Sequence, residues 1–304
     1  MASAPNFAPI RAIGFMTGTS LDGLDCAILE TDGESAILPG PGECAPFDPA
    51  LRHLLEQAVT AARQWGFDGP EPAIFAEAED ALTRAHAKAT TRLLDTAGLN
   101  PADIDVIGFH GQTVLHRAPR DGAPGATRQL GDGALLAALT GVDVVNDFRS
   151  ADVAAGGHGA PLAALYHAAL LQRDGCAPCA ALNLGGVANL TLVDAKGRAT
   201  AFDCGPASGP IDQFVRAHGG GLMDEGGVLA ANGRVDEARL ARLLENPFFA
   251  APPPKSLDRY EFTHELAAGL SLEDGAALLT ELAAAGVARG LQWAGDPPGQ
   301  LSVA

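Results

Sequence analysis

The sequence predicts a duplicated α/β fold, with two units that each open on a hairpin around a Gly-rich turn. Three observations predict it. Residues 13–29, I-G-F-M-T-G-T-S-L-D-G-L-D-C-A-I-L, read as strand, polar Gly-rich turn, strand. Residues 181–193, A-L-N-L-G-G-V-A-N-L-T-L-V, repeat that order half a chain later. Between and after them, short β-branched runs alternate with segments of helical apolar spacing, the pattern of α/β units.

The first strand covers residues 11–16 and the second 24–30. The turn between them carries three hydroxyls, two glycines and two aspartates (Thr17 to Asp25). Backbone N–H groups and hydroxyls of this kind suit phosphate oxygens, and an aspartate can hold Mg²⁺ through water. Asp48-Pro49 then caps a helix with Leu51, Leu54, Leu55, Val59 and Ala62 on one face. A second helix, 73–97, turns Phe75, Ala78, Leu82, Ala85, Ala89 and Leu93 inward and stops at Gly98. His53 and His86 on these helices read as surface residues.

Residues 105–109 form a buried-type strand, followed by His110-Gly-Gln112, whose donors and acceptors suit sugar hydroxyl or amide groups. Residues 118–127 are rich in Pro and Gly and read as a loop crossing toward the second domain. Q-L-G-D-G, from Gln129, leads into a short helix and then a strand at 142–145.

After that strand comes N-D-F-R-S-A-D-V-A-A-G-G-H-G-A-P-L, residues 146–162. Asp147, Arg149 and Asp152 follow a strand's carboxyl end, the edge where α/β sheets bind ligands. Gly156, Gly157 and Gly159 permit positive φ or close backbone approach, and Pro161 suits the opening of a helix.

In the second half a third strand at 200–203 ends in F-D-C-G-P. The chain beyond Pro210 reads as mostly helical, with a loop at 252–262 whose Lys255 and Arg259 face solvent by default. A long Ala/Leu helix spans 274–293, and L-S-V-A begins another strand. Two Gly-rich turns facing each other across a cleft would clamp a nucleotide's phosphates.

Composition narrows the function classes. Of 304 residues, 47% are hydrophobic and 19% charged, which is globular, and the length suits about two domains. The net charge is −17, from 20 basic and 37 acidic residues, which disfavours nucleic acid and anionic membrane as partners. No signal peptide or membrane-length apolar run is visible. The five scattered cysteines fit reduced thiols in the cytoplasm. Cys176-Ala-Pro-Cys179 stands alone, without a second pair, and reads as loop cysteines rather than a zinc or redox site.

Seven segments, in order, resemble the anhydro-N-acetylmuramic acid kinase family of the sugar kinase/Hsp70/actin superfamily. They are M-T-G-T-S-L-D-G-L-D, G-F-H-G-Q-T-V-L-H, Q-L-G-D-G, D-F-R-S-A-D-V-A-A-G-G-H-G-A-P-L, N-L-G-G-V-A-N-L, F-D-C-G-P and P-K-S. The resemblance implies an α/β fold of two RNase H-like domains around a nucleotide cleft, here 1–128 and 129–304. It implies ATP and Mg²⁺, an amino-sugar substrate and a homodimer. It also implies hydrolytic opening of 1,6-anhydro-N-acetylmuramic acid with phosphorylation at O6.

By position, Gly18, Thr19, Ser20, Leu21, Asp22, Gly23, Leu24 and Asp25 would form the first phosphate loop, with Asp22 on the Mg²⁺ side. Asp152 would be the general base, and Arg149 would position substrate or phosphate. His110, Gln112 and Gln129 would contact the sugar. Gly185, Gly186, Asp203 and Gly205 would form the second phosphate loop. Family members continue past L-S-V with a Gly-rich adenosine-binding motif and a Glu-Ala pair, so the resemblance implies a C-terminally incomplete second domain. A non-catalytic sugar- or nucleotide-binding remnant is the alternative within the family. An actin- or Hsp70-like ATPase acting on protein is the alternative outside it, against which the His110 and Asp147–Asp152 segments stand.

Overall fold

Five strands in the order β3-β2-β1-β4-β7 organise the first half of the chain. They are β1 (Ile10–Met16), β2 (Gly23–Thr31), β3 (Ile37–Pro46), β4 (Val106–Phe109) and β7 (Val144–Asn146). The second half repeats the arrangement as β10-β9-β8-β11, with β8 (Cys179–Leu184), β9 (Val187–Val193), β10 (Ala199–Pro206) and β11 (Leu301–Val303). The computed structural model describes residues 8–18, 21, 23–34, 36–119, 122–258 and 261–303. These fall into two compact units, Met1–Gly159 and Ala160–Ala304.

In each sheet the first two strands pair antiparallel as a hairpin, and the next central strand joins the first in parallel. The third strand pairs antiparallel with the second. Only the second strand of each described sheet therefore runs against the others, which is the RNase H-like topology in both halves. The expected duplication is thus present over four strands, with β7 added in the first unit. The expected boundary at 128/129 falls inside β6 (Ala126–Leu130), which pairs with β5 (Gln112–Arg117) in the first unit. Residues 118–119 and 122–125 lie between these two paired strands and so belong to that unit.

The first-unit helices follow from local chemistry. Asp48 caps α1 (Pro49–Trp65) by accepting the Ala50 N–H at 2.8 Å, and Pro49 suits the first turn. Gly66 and Gly98 end α1 and α2 (Ile74–Ala97) in the left-handed conformation. Their inner faces bury Leu55, Ala58 and Ala62 of α1 and Phe75, Ala78, Leu82, Ala89 and Leu93 of α2. These pack with Ile13, Ile107 and Phe109 in one core. His86 lies in that core and not on the surface. Its ring stands 4.8 Å from Phe15 and 4.7 Å from Phe109, and its Nδ1 bonds the Leu82 carbonyl at 2.8 Å. Burial pushes its pKa down to about 4.

The sequence reading assigns no element to residues 31–47, where the structure has β3. Pro39, Pro41 and Pro46 break the usual strand pattern, yet β3 lies at the sheet edge, where a missing N–H leaves no ladder bond unmade. Three short helical elements follow the hairpin and the second helix: α3 (Gly133–Thr140), α4 (Ser150–Ala154) and, in the second unit, α5 (Ala164–Arg173). Asp152 thus sits in a helix rather than a loop. Pro161 does not open a helix, because α5 begins three residues later, at Ala164.

In the second unit, α6 (Ser208–Ala217) follows β10 and α10 (Leu272–Leu291) packs along β9 and β10. Between them lie the short helices α7 (Val228–Asn232), α8 (Glu237–Leu243) and α9 (Pro247–Ala250). Phe214, Phe249, Leu278 and Leu282 centre one cluster, and Leu190, Phe202 and Cys204 centre another. Among the described residues no helix is long and apolar enough to cross a membrane.

Candidate active site

In the first unit β1, β4 and β7 run parallel, so their carboxyl ends share one edge of the sheet. Each strand ends in a stretch singled out from the sequence: Thr17-Gly18, His110-Gly111 and Asn146-Asp147. A pocket of about 200 Å³ opens beside two of these ends, with His110, Gln129, Gly131, Asn146, Asp147 and Ser150 in its lining. His110 and Gln129, expected from the sequence, therefore meet at one place. The glycine between β4 and β5 makes this possible. Gly111 has φ +69°, and a Cβ there would stand 2.3 Å from the Leu130 carbonyl oxygen.

Gln129 is oriented by its neighbours, its Nε2 donating to Thr127 Oγ1 at 2.6 Å and Thr113 Oγ1 at 3.3 Å. Thr127 Oγ1 also meets His116 Nδ1 at 3.0 Å. Burial, followed by the positive charge of Arg149, lowers the pKa of His110 and takes that of His116 down to about 4. Both imidazoles are thus neutral near pH 7, and each keeps one acceptor nitrogen.

Gln112 takes a different part. It is fully buried, and its Nε2 donates to the Gly18 and Thr113 carbonyls, each at 3.3 Å. Thr17 Oγ1 returns the link by donating to the Gly111 carbonyl at 3.1 Å. These bonds stitch the turn after β1 to the turn after β4, and Gln112 is outside the pocket lining. Of the expected first phosphate loop, Thr19, Ser20 and Asp22 lie outside the described residues. Leu21 and Leu24 are buried in the core, while Gly23 opens β2 and Asp25 is exposed within it. Gly18 carries the carbonyl that holds Gln112 and Leu21.

Asp152 has a closely built seat. Its Oδ2 accepts the Gly159 N–H at 2.7 Å, and its backbone carbonyl accepts the Gly157 N–H at 2.8 Å. A Cβ on Gly157 would stand 2.2 Å from Oδ2, so a side chain there would displace the carboxylate. Gly156 and Gly159 take φ +92° and +63°, as that glycine cluster predicts. Arg149 immediately precedes α4 and donates through Nη1 to the Gly159 carbonyl. Arg149 and Asp152 therefore hold the same loop residue from its two sides, one by its carbonyl and one by its N–H.

Sequence reasoning missed the support behind the pocket. Arg128 makes a two-pronged pair with Glu71, at 2.8 and 3.0 Å, and reaches Glu79 at 3.2 Å. Glu79 Oε1 also accepts the Gly131 N–H at 2.9 Å, and Thr83 Oγ1 accepts that of Asp132 at 3.1 Å. Helix α2 thereby fixes the turn that follows Gln129 and β6. The available signal was polar residues, Glu79, Thr83 and His86, on the otherwise apolar inner stripe of that helix.

In the second unit Gly185 and Gly186 form the β8–β9 turn, and their carbonyls accept the N–H groups of Ala207, Ser208 and Gly209 at 3.0–3.3 Å. Gly185 is exposed, and a Cβ there would make only ordinary van der Waals contacts, the nearest at 3.8 Å. Asp203, buried in β10, accepts the Leu257 N–H at 2.7 Å. Gly205 is buried against Phe249 and Gly286. Lys255, expected to face solvent, is buried too, with its Nζ donating to the Phe248 carbonyl at 2.9 Å. Cys176 and Cys179 are free thiols, the latter donating to the Cys176 carbonyl at 2.7 Å. No group of three His, Cys, Asp or Glu side chains among the described residues forms a metal cage. A Mg²⁺ held mainly by phosphate oxygens and water needs none.

The sequence matches the family described as "Anhydro-N-acetylmuramic acid kinase" over residues 10–304. A protein of that name from Rhizobium rhizogenes is 54% identical over 297 residues, covering 97% of this chain and 80% of the relative. One from Brucella anthropi is likewise 54% identical over 297 residues with the same coverage. One from Caulobacter vibrioides is 49% identical over 295 residues, covering 97% of this chain and 80% of the relative. The chain therefore belongs to the anhydro-N-acetylmuramic acid kinase family.

Proposed function

We propose that this protein uses ATP to convert 1,6-anhydro-N-acetylmuramic acid into N-acetylmuramic acid 6-phosphate, with water opening the anhydro bridge. The observation that carries the reading is the seat of Asp152, at the carboxyl edge of the sheet with its Oδ2 fixed by the Gly159 N–H. A carboxylate so held keeps one direction, which a general base needs before its substrate arrives.

Asp152 takes a proton from water as the water oxygen bonds the anomeric carbon. The C1–O6 bond breaks, and O6 bonds the γ-phosphorus as the bond to the β-phosphate oxygen breaks, releasing ADP. Phosphoryl transfer of this kind rests on positioning and charge stabilisation more than on covalent help from the protein. Arg149, immediately before the helix that carries Asp152, orients the substrate. His110 and Gln129 bind the sugar in the pocket, and Gln112 supports them by tying the turns after β1 and β4 together. Gly185, Gly186, Asp203 and Gly205 serve the nucleotide in the second unit, and Gly18 to Asp25 serve it in the first. Mg²⁺, assigned on the side of Asp22, supplies charge neutralisation of the phosphates when bound.

The reading includes a cytoplasmic homodimer. Five free thiols support a reducing compartment, and light scattering of the purified chain tests the dimer. The reaction itself is tested by running it in H₂¹⁸O and analysing the product by mass spectrometry and ³¹P NMR. The label belongs on the anomeric oxygen and the phosphate on O6. Label in the phosphate, or phosphate on a ring hydroxyl, would refute the proposal.

A further inference from the structure

Lys255 is a lysine with almost no access to solvent. It follows a run of prolines between α9 and α10 and is only 6% exposed. Its Nζ donates to the Phe248 carbonyl at 2.9 Å and stands 4.5 Å from the Phe248 ring centroid and 6.0 Å from that of Phe202. Burial holds its pKa below the ordinary lysine value, against the opposing pull of Cys204 and Asp203. An ammonium is costly to bury, and a methionine would fill the same channel without that cost. The charge therefore has some use other than packing.

The main chain around Lys255 shows where that use lies. The Asp203 N–H donates to the Lys255 carbonyl at 3.0 Å, and the Leu257 N–H donates to Asp203 Oδ2 at 2.7 Å. Residues 255–257 thus hold Asp203 by its backbone and by its carboxylate. The second ring beneath the ammonium, Phe202, is the neighbour of Asp203 in β10. A direct phosphate contact fits less well, since the ammonium already has a carbonyl partner and two aromatic faces.

We propose that Lys255 is a positioning residue for nucleotide binding. Anchored between Phe248 and Phe202, it fixes the 255–257 segment and so aims the Asp203 carboxylate. The inference rests on the assignment of Asp203 to the nucleotide site made above. In this account the charged end of Lys255 pins the segment through the ring faces and the Phe248 carbonyl, and the segment's two hydrogen bonds transmit that order to Asp203.

The test is titration calorimetry of Mg·ADP, and separately of the anhydro-sugar, on the full chain. The variants are Lys255→Met, Asp203→Asn and the two combined. Lys255→Met is expected to weaken Mg·ADP at least tenfold and to leave sugar affinity within twofold. The combined variant is expected to be no weaker than the weaker single variant, because both substitutions remove one device. Mg·ADP affinity within twofold of wild type in Lys255→Met overturns the proposal. So does equal loss of both ligands, which marks a packing role, or additive loss in the combined variant. Should Lys255→Met not fold, Lys255→Gln carries the same expectation, since it removes the charge over the two rings, while its amide donor to the Phe248 carbonyl favours folding. A wild-type chain that binds the sugar but not Mg·ADP refutes the nucleotide assignment itself, a different result from a wild-type-like Lys255→Met.

Discussion

Gly157 and Asp152 are matched to each other: a Cβ on the glycine would stand 2.2 Å from the aspartate's Oδ2. The carboxylate can hold its bond to the Gly159 N–H only because residue 157 has no side chain. Gly157→Ala therefore displaces the proposed base without removing it. Turnover should fall about a hundredfold, the scale of an ångström-sized misplacement at a reacting centre. Sugar and nucleotide affinities should stay within a few-fold of wild type. Steady-state kinetics beside calorimetry check this, and unchanged turnover would mean that the Asp152 seat is not catalytic.

Glu79 joins two parts of the pocket support, the Arg128 guanidinium and the Gly131 N–H. In Glu79→Ala both lose a charged partner, at a cost of about 2–3 kcal/mol in unfolding free energy. The turn after Gln129 loosens, so KM for the sugar should rise about tenfold while KM for ATP is little changed. Urea unfolding and a KM comparison test the two halves of this prediction. A rise in KM for ATP alone would contradict it.

His86 makes the first unit sensitive to acid. Its folded pKa of about 4 lies below the ordinary histidine value of 6.5, so the unfolded chain takes the proton first. Its contribution is fully present above pH 6.5 and is lost as pH falls from there through about 4, on the order of 3 kcal/mol in all. His116, also taken down to about 4 by burial, acts in the same direction. His86→Phe keeps a ring against Phe15 and Phe109 and should reduce the loss of stability between pH 7 and pH 4.5. Parallel pH-dependent denaturation curves of the two proteins would show that His86 is not the source.

The repeated hairpins were legible because Gly-rich turns between β-branched runs leave a strong local signal, and both sheets are built on them. The strand end at Asn146 and the glycines after Asp152 were legible for the same reason. Less visible was everything decided by tertiary packing. β3 is hidden by its prolines, which an edge position tolerates. His86 and Lys255 look like surface residues by type, and only the rings around them explain their burial. Glu79 and Arg128 lie 49 residues apart, so nothing local announces their pairing. Gln112 stands out in the sequence as a polar residue at a strand end, but its described bonds go to backbone carbonyls.

The most direct measurement is ADP release by wild type and Asp152→Asn with ATP and Mg²⁺, each with and without the anhydro-sugar. The account predicts sugar-dependent ADP from wild type. It predicts a loss of about a thousandfold or more in Asp152→Asn, within the range assigned to a general base. Nucleotide binding in that variant should be unchanged. Wild-type ADP release indifferent to the sugar, or near-normal turnover by Asp152→Asn, would contradict it.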